Sequence, residues 1–299
     1  MRRIALFLLT NIAVLLLLGI VCHLLGVDRY AAVQGIGGST GLLVYAAVFG
    51  MGGAFISLAM SKPMAKWSTG ARVIEQPRNE AERWLLDTVR HHAQAAGIGM
   101  PEVAVYDAPE MNAFATGMTK NRALVAVSSG LLRQMDREQV AAVLGHEIGH
   151  VANGDMVTMT LIQGVLNTLV IFAARVVGRL VDGWLAGGRD DNRGGTGLGY
   201  FVVVMVLQVV FGLFASMVVM AFSRWREFHA DAAGAKLAGR GAMISALQRL
   251  QADHGESTLP KTLVAFGISG PLAQGFQRLF MSHPPLEERI AALRDAAAA

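Results

Sequence analysis

Residues 136–154 read DREQVAAVLGHEIGHVANG, and this stretch has the features of one complete helix. Asp136 and Gln139 have the spacing of a capping box, in which each side chain binds the backbone at the other's position. Apolar residues follow at helical spacing to about residue 152. Asn153-Gly154 is a typical helix end, because glycine readily adopts the left-handed conformation that ends many helices. The sequence therefore predicts a helix from about Arg137 to Ala152.

Two histidines and a glutamate on this helix suit a catalytic zinc ion. His146 and His150 are four residues apart, so they are separated by about 40° around the helix and face the same way. Glu147 is turned about 60° from His150, which is too far to bind the same ion but suits a general base beside it. Such histidine pairs are often structural, but that interpretation leaves Glu147 without a use. We therefore predict zinc ligation by His146 and His150.

A second polar cluster, SRWREFHAD at residues 223–231, offers a third ligand. Catalytic zinc sites have three protein ligands and keep one position open. On a helix Glu227 and Asp231 share a face, whereas His229 is about 200° from Glu227. The economical assignment makes Glu227 the ligand and Asp231 the acceptor that orients a ligand histidine. The alternatives are His229 or Asp231 as the ligand, or a solvated helix start without a metal.

The charged residues are unevenly distributed. Asp, Glu, Lys and Arg make up 16% of the chain, against about 25% in soluble domains. Four stretches without any of them are long enough to cross a bilayer: Ile4–Val27, Tyr30–Ser61, Met156–Ala174 and Gly194–Ser223. The sequence predicts four transmembrane helices, the last three centred on Leu42–Leu58, Met156–Ala174 and Phe201–Phe222. The alternatives are a cleaved signal peptide for the first and a buried helix of a soluble domain for the third.

Basic residues predict the orientation. Eleven Lys and Arg residues flank the predicted spans on the side of the membrane that carries the N-terminus, and five flank them on the other side. The positive-inside bias therefore places both termini in the cytoplasm. We predict two transmembrane helices in residues 1–61, a cytoplasmic domain in two parts, 62–155 and 224–299, and a transmembrane hairpin with a polar loop in 156–223.

The cytoplasmic part has an α+β pattern. Residues 80–96 have helical spacing, 102–107 and 122–127 are typical of short strands, and 108–121 is rich in turn residues. No Lys/Arg-rich run points to nucleic acid as a partner. Cys22 is the single cysteine, so an intramolecular disulfide is excluded and an oxidising compartment is not required.

The motifs resemble those of the membrane-embedded zinc metallopeptidases that include the CAAX prenyl proteases, and specifically their bacterial HtpX-like heat-shock branch. The resemblance covers nearly the whole chain. It is carried by the four-span layout and by His146–His150, Arg226–Asp231, Asn112–Gly117 and His283–Pro285. It implies a mainly α membrane protein, with four transmembrane helices and a zincin-type α+β metalloprotease domain.

The resemblance also implies the chemistry. One zinc ion per chain is held by His146, His150 and Glu227, with Glu147 as the base. The activity is endoproteolysis of misfolded or damaged membrane proteins at the cytoplasmic side of the bacterial inner membrane, in a stress response. Polypeptides and the lipid bilayer are the expected partners.

Two further segments have candidate roles. Peptidases commonly bind substrate as an added strand on a sheet edge, and the family places its Asn112, Ala113 and Phe114 motif near that edge. The alternative is a turn capped by Asn112. His283, with Arg289 six residues on, is a candidate to stabilise the oxyanion. The alternative is a surface turn before a helix over residues 285–297.

Two other functions fit part of the sequence. One is processing of lipidated proteins in the manner of the CAAX prenyl proteases. Those proteases resemble this chain around the zinc site, but they have more transmembrane spans. The other is a non-catalytic membrane protein with structural zinc. Structural sites usually close all four positions with Cys and His, and no cysteine lies near this motif.

Overall fold

The structure is a computed structural model that describes residues 39–185, 198–253 and 279–296. The first predicted span and Cys22 lie outside the described residues. The described helices are α1 (Ser39–Thr69), α2 (Glu80–Ala95), α3 (Ser129–Gln134), α4 (Arg137–Asn153), α5 (Asp155–Leu185), α6 (Leu198–Ala238), α7 (Arg240–Asp253) and α8 (Leu286–Asp295). The described strands are β1 (Arg72–Val73), β2 (Glu102–Tyr106), β3 (Ala113–Thr116) and β4 (Leu124–Ser128).

Three of the described helices are long and apolar enough to cross a membrane. The segments are Gly41–Thr69, Asp155–Val181 and Gly199–Ala238. They contain the last three predicted spans. About 20 residues suffice to cross the hydrocarbon core, so α6, with 41 residues, extends well beyond its own apolar stretch.

The chain forms two compact units. In the first, made of residues through Ser57 and of Met159–Val219, glycines bring helices close together. A Cβ on Gly50 would lie 2.5 Å from the backbone nitrogen of Thr168. A Cβ on Gly164 would lie 3.3 Å from the Cα of Met51. At Gly50 only glycine permits this approach, whereas a Cβ on Gly164 would require Met51 to shift; both positions suit helices that pack closely.

The second unit, Leu58–Thr158 with residues from Met220 onward, is built on a four-stranded sheet. The strand order is β1-β2-β4-β3, with β2 and β4 parallel and both outer pairs antiparallel. The predicted turn-rich segment 108–121 was therefore only partly right, because residues 113–116 form β3. A strand of only four residues, all half-buried, shows too little alternation of polar and apolar residues to be distinguished from the surrounding turns.

Helix α4 has the predicted boundaries and caps. The Asp136 side chain accepts from the Gln139 backbone at 2.8 Å, and Gln139 binds back to complete the capping box. Gly154 ends the helix with φ 71°, in the left-handed region. Leu144 and Ile148 are fully buried in the core of this unit.

Small residues let α4 and α6 approach closely. A Cβ on Gly145 would lie 3.1 Å from the Cα of Gly234, and one on Gly149 would lie 2.7 Å from the Cβ of Ala233. The helix backbones therefore touch along one turn of each helix. This contact places residues 227–231 of α6 beside residues 146–150 of α4.

Candidate metal centre

Three buried side chains converge between α4 and α6. Ligand atoms of His146, His150 and Glu227 all lie within 4.8 Å of one another. The two histidine Nε2 atoms are 3.2 Å apart. Glu227 Oε2 lies 3.5 Å from His146 Nε2, and Glu227 Oε1 lies 3.3 Å from His150 Nε2. This spacing fits one shared metal ion.

The far nitrogen of each histidine is held by a carboxylate. His146 Nδ1 lies 2.9 Å from Asp231 Oδ1, and His150 Nδ1 lies 2.5 Å from Asp155 Oδ2. A carboxylate accepts hydrogen bonds, so each Nδ1 carries the proton and donates it. In the neutral imidazole, each Nε2 then presents its lone pair to the centre. This tautomer is the one a metal ligand needs.

The acidic groups around the histidines favour positive charge. Burial by itself lowers the pKa of His146, but the Asp231 and Glu227 carboxylates outweigh it and raise that pKa to about 9. Burial also opposes a charge on His150, yet Asp155 and Glu227 raise its pKa as well. A divalent cation takes the place of such protons when it binds.

Glu227 supplies the clearest test of the fit to a metal. Its side chain is fully buried. Its Oε2 contacts His283 Nδ1 at 2.8 Å and Arg289 Nη1 at 3.4 Å, but in the described part of the chain neither carboxylate oxygen has a hydrogen-bond partner. A buried carboxylate is costly unless it is paired or coordinates a metal. Two imidazole nitrogens and one carboxylate form a common donor set of catalytic zinc sites, so the residues present fit zinc.

Arg289 of α8 is the cation of this cluster. Its Nε donates to Asp231 Oδ2 at 2.7 Å, and its Nη2 donates to Asp231 Oδ1 at 2.6 Å. Its Nη1 lies 3.4 Å from Glu227 Oε2. Arg289 is itself buried. The guanidinium is therefore committed to the two carboxylates of α6.

The structure distinguishes the three residues of the 223–231 motif that were candidates for the third metal ligand. His229 is exposed, its Nδ1 lies 3.1 Å from the Trp225 carbonyl, and its ring packs on the Trp225 ring. Asp231 is occupied by His146 and Arg289. Of the three, Glu227 alone shares the centre with both histidines. Glu147 is half-buried on the turn that carries both of them.

His283 and the 112–114 motif lie at different places. His283 Nδ1 lies 2.8 Å from Glu227 Oε2, and its side chain is largely exposed. The Asn112 N–H donates to Ser128 Oγ, and its carbonyl accepts from the Ser128 N–H. Ala113 and Phe114 begin β3, at the outer edge of the sheet.

Asp155 was not identified as a site residue from the sequence. It follows Gly154, whose left-handed conformation turns the chain so that α5 begins at Asp155 and its side chain points back to His150. The available signal was an acidic residue directly after a glycine-terminated helix that carries a histidine in its last turn. That pattern alone is also typical of an ordinary helix N-terminus.

Comparison with known proteins gives matches to a peptidase family and to named relatives. The family model described as "Peptidase family M48" matches residues 79–297. The chain belongs to peptidase family M48. Two relatives named Protease HtpX, from Xanthomonas euvesicatoria pv. vesicatoria (strain 85-10) and Xanthomonas axonopodis pv. citri (strain 306), are 64% and 63% identical to it over 295 residues. These matches cover 99% of this chain and 98% of each relative.

A solved structure shares the fold of this M48 peptidase. The crystal structure of Ste24p from S. mikatae superposes with a TM-score of 0.63 at 19% sequence identity. The match covers 93% of this chain and 67% of that chain. The family and the relatives make the protein a metalloprotease. Its long apolar helices indicate a membrane protein.

Proposed function

We propose that this M48 peptidase is a zinc-dependent endopeptidase that cleaves misfolded or damaged membrane proteins at the cytoplasmic side of a bacterial inner membrane. The observation that carries the proposal is the convergence of His146, His150 and Glu227 beside Glu147. Three ligands leave one coordination position open, which suits catalysis rather than a structural role.

His146, His150 and Glu227 would hold one zinc ion per chain. When bound, zinc would supply Lewis-acid chemistry to the scissile carbonyl and to the attacking water. Asp231 and Asp155 fix the orientation and tautomer of the two histidines through Nδ1. Arg289 keeps Asp231 ionised and in place.

Glu147 moves the proton. Its carboxylate takes a proton from water as the water oxygen attacks the carbonyl carbon, and returns it to the leaving amine as the C–N bond breaks. Glu147 lies between the two histidines in the sequence of α4 but is turned to one side of both around the helix, which supports this role. His283, which lies against Glu227 with its ring otherwise exposed, is the candidate donor to the oxyanion.

The substrate would bind along β3. This strand is at the edge of the sheet, so its outer N–H and C=O groups can pair with an extended peptide. Asn112, Ala113 and Phe114 are the residues we assign to this contact. Ser128 anchors Asn112 through two hydrogen bonds and so holds the start of the strand.

The orientation rests on the distribution of basic residues. A reporter fused after Ala299 should be cytoplasmic, and one inserted near Gly187 should be on the opposite side of the membrane. A cytoplasmic signal from the Gly187 insertion would contradict the crossing of the hairpin.

The proposed activity is tested on the purified full-length protein in detergent. A membrane-protein substrate should be cleaved, a chelator should stop cleavage, and added zinc should restore it. A prenylated C-terminal peptide serves as the comparison substrate, because cleavage confined to it would favour lipidated-protein processing. Cleavage that persists after verified removal of the metal would refute the zinc mechanism.

A further inference from the structure

One face of α6 is exposed from its apolar part to its charged part. Phe214 is 61% exposed, Val218 53% and Trp225 56%. Residues 4, 7 and 11 positions after a given residue lie within about 40° of it around a helix. Phe214, Val218, Ala221 and Trp225 therefore form one continuous exposed stripe. An apolar stripe of this kind on a membrane-length helix suits contact with lipid.

The chemistry of this stripe changes at Trp225. Gly194–Ser223 contains no charged residue, and Arg224 and Arg226 directly follow. Trp225 packs on Phe222 on one side, with ring centroids 5.3 Å apart, and on His229 on the other, with centroids 4.2 Å apart. Tryptophan is enriched at membrane–water interfaces because its ring is apolar and its N–H is polar. Basic residues favour the adjoining headgroup layer.

A second element presents apolar side chains at the same level. The Arg224 guanidinium donates to the carbonyls of Leu279 and Met281, at 3.3 and 2.8 Å. Both side chains are exposed. Two residues on, His283 lies against Glu227. The segment 279–283 thus runs beside α6 from Arg224 to the metal centre, with apolar side chains turned outward.

The metal centre lies close to this boundary along the helix axis. Glu227 is two residues beyond Trp225, so it is only about 3 Å farther along the axis. It is about 200° around the helix from Trp225, on the side that faces α4. Each headgroup layer of a bilayer is about 5–7 Å thick. The axial offset of Glu227 is smaller than that thickness.

We propose that the bilayer surface meets α6 at Trp225, so that the metal centre lies at headgroup depth and acts on juxtamembrane segments of membrane proteins. The substrate half of this proposal rests on the proposed protease function. A bond next to the end of a transmembrane helix is already at the depth of the site. A peptide bond held far from the membrane has to move back toward the membrane surface to reach the site.

The depth is measured with spin labels on the full-length protein in nanodiscs of phosphatidylethanolamine and phosphatidylglycerol. On a Cys22→Ala background, single cysteines replace Phe214, Trp225 or Lys236. All three positions are exposed on one face of α6, and each step of 11 residues is about 16 Å along the axis. Oxygen and nickel accessibility should place the label at 214 in the acyl chains, that at 225 among the headgroups and that at 236 in water.

A label at 225 with the accessibility of the one at 236 would overturn the proposal, because the centre would then stand clear of the membrane. A label at 225 with the accessibility of the one at 214 would overturn it as well, since the centre would then lie within the hydrocarbon. These readings need no enzymatic activity. They stay valid if the proposed function fails.

The substrate half is tested with two membrane-anchored substrates. One carries an unstructured cleavable segment directly after its transmembrane helix. The other carries the same segment after a helical spacer of about 30 residues, which holds it about 45 Å away. The near segment should be cut at least about tenfold faster. Equal rates for the two substrates would overturn the substrate assignment. If neither substrate is cut, and a soluble unfolded protein is not cut either, the protease function itself is refuted.

Discussion

Arg289 and Asp231 form a bidentate ion pair that is buried beside the candidate metal centre. Arg289→Ala should leave Asp231 charged and buried without its cation, which destabilises a protein by about 3–5 kcal/mol. Thermal unfolding in detergent should show a clearly lower midpoint. Arg294→Ala, an exposed residue of the same helix, should change stability by less than about 0.5 kcal/mol. Equal midpoints for the two variants would contradict a stabilising role of the pair.

Glu147→Gln should separate metal binding from catalysis. The substitution keeps size and shape and leaves His146, His150 and Glu227 in place. Zinc should remain near one per chain, while cleavage should fall by at least about 10²-fold, the range for a lost general base. Zinc content and cleavage rate are measured on the same preparation, with Glu138→Gln on the same helix as the control. Normal cleavage would exclude Glu147 as the base, and loss of zinc would assign it a structural role.

Replacing a ligand should remove the metal. His146→Ala, His150→Ala and Glu227→Ala each delete one of three ligands, so zinc content should drop sharply. His229→Ala is the matched control, because it comes from the same motif but lies outside the centre. Elemental analysis after gel filtration gives the zinc content. Full occupancy in Glu227→Ala would reopen the assignment of the third ligand.

Asp155→Ala should weaken zinc binding without abolishing it. Loss of the acceptor at His150 Nδ1 frees the ring and its tautomer, and such changes typically cost about 10–100-fold in affinity or activity. A competition titration with a zinc chelator measures the affinity. Asp87→Ala, an exposed position on α2, should match the unmodified protein. An unchanged affinity would show that Asp155 does not position His150.

Gly149→Val should disturb the centre from a distance. Its added carbons would meet Ala233, because a Cβ alone already comes within 2.7 Å, so α4 and α6 must separate. Overpacking of this kind costs about 1–3 kcal/mol. Both the unfolding midpoint and the zinc affinity should fall. Gly241→Ala, where a Cβ has open space, should not lower either value. Unchanged zinc affinity in Gly149→Val would show that this helix contact does not set the ligand geometry.

The sequence by itself predicted the features that depend on neighbouring residues. The caps of α4 follow from Asp136, Gln139 and Gly154, because capping joins groups within one helical turn. The common face of His146 and His150 follows from helical periodicity. The long uncharged stretches predicted membrane-length helices, since length and polarity are properties of the segment alone.

Only the tertiary structure decided which distant groups meet. Asp231 contacts His146 across 85 positions of sequence, and Arg289 reaches Asp231 across 58. These contacts depend on Gly145 and Gly149 allowing α6 to touch α4, which no local pattern encodes. The same holds for β3, which becomes a strand because β4 offers it a partner. Local preferences act within a few residues, whereas the candidate metal centre is set by the packing of surfaces that lie far apart in the chain.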